Sequence, residues 1–152
     1  MQKSRRSVVL ENFAFDEGQC SCGKCKKQVC DELMVRLQAF RYILKAKFKC
    51  EVMMVISGGA RCLDKQAEVY HHAVPLQTSY HTGPNRDGIG DSAAADIKVF
   101  QVLPRGEAIK VPRAVLAFAA KQSGLFGGVI HIKYQGDDSE FIHVDLGPVR
   151  EL

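Results

Sequence analysis

Leu33, Leu37, Phe40 and Leu44 recur at three- and four-residue steps through an otherwise polar stretch, and this spacing predicts an amphipathic helix over roughly residues 30–47. The apolar run Val52–Ile56 (VMMVI) reads as a short buried strand, closed by the turn signal Ser57-Gly58-Gly59. A second helix is expected from Leu63 to His72, stopped by Pro75, because a proline disfavours helical geometry in the residue before it. Residues 76–91 carry Gly, Asn, Asp and Pro and predict a loop, after which Ala93–Val99 (AAADIKV) resumes as a strand. Pro112 stands near the start of a third helix that runs to about Gln122, with Gly124 suited to its C-terminal cap. Phe126–Tyr134 and Phe141–Leu146 predict two antiparallel strands joined by the polar turn Gln135–Ser139. The order of elements implies an α+β fold over residues 1–152: a single domain with a small antiparallel sheet flanked by helices, preceded by a Cys-rich leader, residues 1–30.

Polar residues planted in the apolar strands are the first sign of chemistry. His143 and Asp145 alternate with Ile142, Val144 and Leu146, so both fall on one face of their strand. A half-exposed strand would explain that pattern as well as a site would. Asp96 follows three alanines and precedes Ile-Lys-Val, where a carboxylate needs a partner or a metal to offset burial. His81 closes the preceding loop. A catalytic zinc takes three protein ligands of the His/His/carboxylate kind and keeps one position open, and His81, Asp96 and His143 could supply that set. Glu140, three residues before His143, is a candidate to take a proton from a metal-activated water. His71 and His72 are read as helix-end residues, and Asp87 and Asp91 as solvated loop carboxylates.

Composition narrows the classes. The 152 residues are 46% hydrophobic and 25% charged, as in ordinary globular proteins, and no apolar run is long enough for a membrane span. The opening MQKSRRSVVLENF has no apolar core of a signal peptide, so synthesis in the cytoplasm is expected, with delivery elsewhere left to lysis or a virion. Net charge is +4, but Lys24, Lys26 and Lys27, and Lys45, Lys47 and Lys49, form only two small groups and match none of the usual basic-aromatic signatures. These lysines are read as solvated surface, and no nucleic-acid partner is expected. Six cysteines, four of them at 20, 22, 25 and 30, leave three readings open: a metal site, packed thiols or disulfides. Cys62 is expected to join Cys20, Cys22 and Cys25 if the cluster holds a structural metal.

Four short words occur in order: Ser57-Gly58-Gly59-Ala60-Arg61-Cys62, Ser79-Tyr80-His81, Ala94-Ala95-Asp96-Ile97 and Phe141-Ile142-His143-Val144-Asp145. Together they resemble the zinc D-alanyl-D-alanine peptidases, whose fold is shared with the hedgehog signalling domain, and the Cys-rich leader is similar to the phage and bacterial branch. The resemblance spans roughly residues 13–148. It implies a zinc peptidase acting on peptidoglycan peptides next to D-amino acids, with His81, Asp96 and His143 as metal ligands and Glu140 as the proton-transferring acid; a monomer is expected. It further implies Arg61 and Ser79 as substrate contacts and Asp145 as the residue orienting a ligand; His131, from its place in the strand Val129–Ile132, either flanks the site or is an ordinary strand histidine. A non-catalytic wall-binding or virion module of the same fold is the alternative. Two features depart from the family pattern. Fourteen residues separate His81 from Asp96 where six are usual, which reads as a surface-loop insertion, and two residues rather than one stand between Ser57-Gly58 and Arg61.

Overall fold

The computed structural model describes residues 12–13, 17–65, 79–86, 89–130 and 141–148. Helix α1 spans Asp31–Phe48, with Asp31 and Glu32 in its first turn and Lys45 and Lys47 in its last, each sign matched to the helix dipole. Its buried stripe is Leu33, Leu37, Phe40 and Leu44, the spacing seen in the sequence. Strands β1 (Glu51–Gly58), β2 (Ala94–Val102), β3 (Ala108–Lys110), β4 (Gly128–Ile130) and β5 (Ile142–Asp145) form one antiparallel sheet. The order is β1-β2-β5-β4, and β3 pairs with the C-terminal half of β2 while β5 pairs with its N-terminal half. Helix α2 covers Arg113–Ser123 and ends at Gly124, in the left-handed conformation at φ 69°.

Alternation along the strands sorts the sheet into two faces. Val52, Met54 and Ile56 of β1, Ala95, Ile97 and Val99 of β2, and Ile142 and Val144 of β5 are buried in one core with the inner faces of α1 and α2. Helix α1 lies against β1, and α2 against β4 and β5. Phe40 of α1 meets Phe126 edge to face, with centroids 5.6 Å apart. The molecule is thus an α+β fold with an open antiparallel sheet. Among the described residues no helix is long and apolar enough to cross a membrane. Strand β3 was not apparent from the sequence, since all three of its residues lie at an exposed edge or close to one.

Of the second expected helix, residues 63–65 are helical and the rest lies outside the described residues, as does the turn expected at 135–139. The leader is irregular but firmly attached. Val29 is fully buried and bridges Ser92, and the amide of Gln28 donates to Asp91 Oδ1 at 3.1 Å. Asp91 is therefore a buried anchor for the leader, not a solvated loop carboxylate. Lys27 corrects a second expectation: it is completely buried, and its Nζ donates to the carbonyl of Thr82.

The leader crosses the end of β1 so closely that Gly59 has no room for a side chain. A Cβ there would stand 2.2 Å from the carbonyl oxygen of Gly18, while that oxygen accepts the amide of Ala60 at 2.8 Å. Gly59→Ala must push the leader off β1, and a loss of about 1–3 kcal/mol is expected, read as a lower denaturant midpoint. An unchanged midpoint would mean that the leader does not hold this place in solution.

Candidate metal centre

The outer face of the sheet carries the polar cluster. Asp96 and His143 are direct Cα partners across the β2–β5 pair, so their side chains stand side by side on that face. On the other side of Asp96 the register places Gly58, next to an irregularity in β1. A Cβ at Gly58 would lie 2.6 Å from Asp96 Oδ2, so the glycine makes the space that the carboxylate occupies.

His81 arrives from a single 3-10 turn, Tyr80–Thr82. Ser79 caps that turn: its Oγ accepts the His81 amide at 3.2 Å, and its carbonyl accepts the Thr82 hydroxyl at 2.6 Å. The Ala93 amide donates to the Tyr80 carbonyl at 2.9 Å, which pinches the base of the long loop between His81 and Asp96. The fourteen intervening residues therefore do not keep the two side chains apart.

Three atoms converge. His81 Nε2 lies 3.2 Å from Asp96 Oδ1 and 3.2 Å from His143 Nδ1, and His143 Nδ1 lies 3.3 Å from Asp96 Oδ1. Tetrahedral bonds of about 2.0–2.1 Å place ligand atoms about 3.3 Å apart, so these three could hold a metal ion. The hydrogen bonds around them fix which nitrogen faces inward. His81 Nδ1 is 2.7 Å from the Gly59 carbonyl, which can only accept, so the ring donates there and its Nε2 lone pair faces the cluster. His143 Nε2 donates to the buried Asp145 Oδ2 at 2.8 Å, leaving Nδ1 inward, and Asp145 Oδ1 is held in turn by the Gly147 amide at 2.9 Å. Two imidazole lone pairs and a carboxylate oxygen repel unless a positive charge sits among them.

In the metal-free protein that charge is a proton. Burial opposes the imidazolium of His143, but hydrogen bonds to Asp145 and Asp96 outweigh it and lift its pKa to about 9. Burial pushes the His81 pKa down, keeping that ring neutral. Burial also disfavours the Asp96 anion, yet the protonated His143 beside it holds its carboxyl well below the usual range.

Solvent reaches part of the cluster. His81 is buried, but the side chains of Asp96 and His143 retain 13% and 16% of their exposure. Arg61 borders the cluster, its guanidinium 3.6 Å from Asp96 Oδ2 and its amide donating to the His81 carbonyl. The extra residue before Arg61 has not carried it out of reach. Ser79 is half-buried, and its hydroxyl is engaged in the cap beneath His81. Glu140 and His131 lie outside the described residues, as do His71, His72 and Asp87. The Gly59 carbonyl, which sets the orientation of His81, has no signal in the sequence, because every residue carries a backbone oxygen.

The structure brings together a second group, Cys20, Cys22, Cys25 and Cys62, which could also hold a metal ion. Cys30 is not among them; it precedes α1, where its amide donates to the Ser92 carbonyl. All six cysteines are free thiols. Cys22 is the most acidic of the cluster: amides of Lys24 and Cys25 donate to its sulfur and bring its pKa down to about 6.

Three outcomes are expected for the His81/Asp96/His143 centre. A metal must displace the His143 proton, so apparent affinity should rise about tenfold per pH unit up to about pH 9 and then level off. Calorimetry in buffers of different ionisation enthalpy should find about one proton released per metal at neutral pH. Asp145→Asn removes the carboxylate that orients His143 and is expected to weaken metal binding by about 10–100-fold. No protein family, curated protein or solved structure matches the chain, so the reading of this centre rests on its own geometry and on the motifs in the sequence.

Proposed function

We propose that the protein is a zinc-dependent peptidase that hydrolyses peptidoglycan peptides next to a D-amino acid. The observation that carries the reading is the convergence of His81 Nε2, Asp96 Oδ1 and His143 Nδ1 at spacings of 3.2–3.3 Å, with both outer ring nitrogens already committed to acceptors. Three protein ligands within reach of solvent are the arrangement of a catalytic rather than a structural zinc. The substrate class comes from the resemblance of the four sequence words to the D-alanyl-D-alanine peptidases. The four thiols would hold a second zinc with a structural task.

Zinc bound to the three ligands would polarise the scissile carbonyl and bring the pKa of a water toward neutrality. The chain's own residues supply the rest. Asp145 and the Gly59 carbonyl fix the two imidazoles so that no reorientation is needed on binding. Arg61, beside Asp96 at the rim, offers a guanidinium to the substrate carboxylate or to the oxygen on which negative charge develops. Glu140 takes the proton of the attacking water and returns it to the leaving amine, so that the peptide C–N bond yields a carboxylate and an amine. Ser79 serves beneath the site, holding the turn that presents His81.

Purified protein is expected to release D-alanine or muropeptides from cell wall. His143→Ala should lose one zinc per chain and all hydrolysis. Glu140→Gln should keep its zinc and lose about 10²–10⁴-fold in rate, the share of a general base. Wild-type protein that holds zinc on the histidines yet leaves wall peptides intact would instead be a non-catalytic module of this fold.

A further inference from the structure

The four thiols are placed as a metal site is built. Cys22 and Cys25 Sγ are 3.4 Å apart and Cys20 and Cys62 Sγ 3.9 Å, and all four sulfurs lie within 4.8 Å of one another. Zinc–sulfur bonds of about 2.3 Å in a tetrahedron put sulfurs about 3.8 Å apart. Backbone amides already point at the sulfurs: Lys24 and Cys25 donate to Cys22 Sγ at 3.3 and 3.4 Å, and Lys65 donates to Cys62 Sγ at 3.4 Å. Such amides stabilise thiolates, not thiols.

Charge points the same way. A zinc held by four thiolates carries a double negative charge, which a nearby cation offsets. Lys27, fully buried, has the thiols of Cys25, Cys62 and Cys20 and the carboxylate of Asp91 around it, while its own carbonyl accepts the Cys20 amide at 2.8 Å. Its ammonium donates to the Thr82 carbonyl, one residue from His81.

What the cluster joins matters more than its geometry. Three of its sulfurs come from the leader and the fourth from Cys62, directly after Arg61. The residues just before Cys62 are those that shape the histidine centre: Gly58 makes room for Asp96, the Gly59 carbonyl orients His81, and the Arg61 amide holds the His81 carbonyl. We propose that Cys20, Cys22, Cys25 and Cys62 hold a zinc ion as a closed clamp that fastens the leader across Gly58–Cys62 and so holds the His81/Asp96/His143 centre in shape. The clamp has no open position and takes no part in hydrolysis. For its effect on His81 the proposal rests on the metal-centre reading above, but the two fail separately.

The test uses the full-length zinc-loaded protein and methyl methanethiosulfonate, with released zinc followed by a metallochromic indicator. Blocking four thiols should release one zinc, equally in wild type and in His143→Ala. Trypsin should then cut after Lys24 or Lys26, both surface-exposed, and should leave the loaded protein uncut there. In Cys22→Ser/Cys25→Ser, zinc bound by the histidine centre should weaken at least tenfold; if that variant does not fold, the zinc affinity of the histidine centre in thiol-blocked wild type should show the same weakening and decides instead. Thiols that react without zinc release, or a histidine centre that binds zinc equally well in the double variant, would overturn the clamp. A His143→Ala protein with undiminished zinc, alongside the same thiol-linked release, would sink the peptidase reading and leave the clamp standing.

Discussion

The site depends on one register, the pairing of Asp96 opposite His143 between β2 and β5. Side chains alternate with a period of two along a strand, so a slip of one residue would send Asp96 into the core and bring Ile97 or Ala95 to the outer face. The same pairing sets Asp145 beside His143 on that face, and a carboxylate two residues along the strand can then reach the far side of the ring. Register is strongly held here because Ile97, Ile142 and Val144 on the opposite face are all fully buried. The hydrophobic core therefore acts as the positioning device for the polar cluster on the other side of the sheet.

That cluster is costly to bury. Asp96, Asp145, His143 and Lys27 are ionisable groups drawn largely out of water, and each is tolerated only because another group answers it. His143 stands between two carboxylates, Asp145 also accepts the Gly147 amide, and Lys27 has a carbonyl and thiols around it. Such networks select a particular arrangement more than they add stability, and they leave the net stabilisation to the core between sheet and helices. The arrangement selected has three acceptor atoms turned toward one point, a geometry that makes sense around a cation.

Both candidate metal groups meet at the short segment Gly58–Cys62. Within five residues it gives up a side chain to admit Asp96, turns a carbonyl to His81, presses against Gly18, brings Arg61 to the rim and ends on a thiol of the second cluster. This explains why the leader, irregular as it is, belongs to the folded unit. Its Phe13 and Val29 are buried in the common core, and its Gln28 backbone pairs with the segment that leads into β2.

Periodicity alone determined the framework: the buried stripe of α1, the strand VMMVI, the strand through Asp96 and the glycine cap of α2 were all readable, because burial imposes a repeat that a sequence must display. The residue types that gather on the outer face were legible too, since a histidine or carboxylate inside an apolar run stands out. Edge strand β3 was not, for an exposed strand has no burial pattern to reveal it. Nor could the sequence tell that Lys27 and Asp91 are buried, because each is answered by groups more than fifty residues away in the chain. The inward nitrogen of each histidine and the closing of the fourteen-residue gap before Asp96 were likewise decided by tertiary contacts. They depend on distances between backbone groups far apart in the chain, and only folding sets those distances.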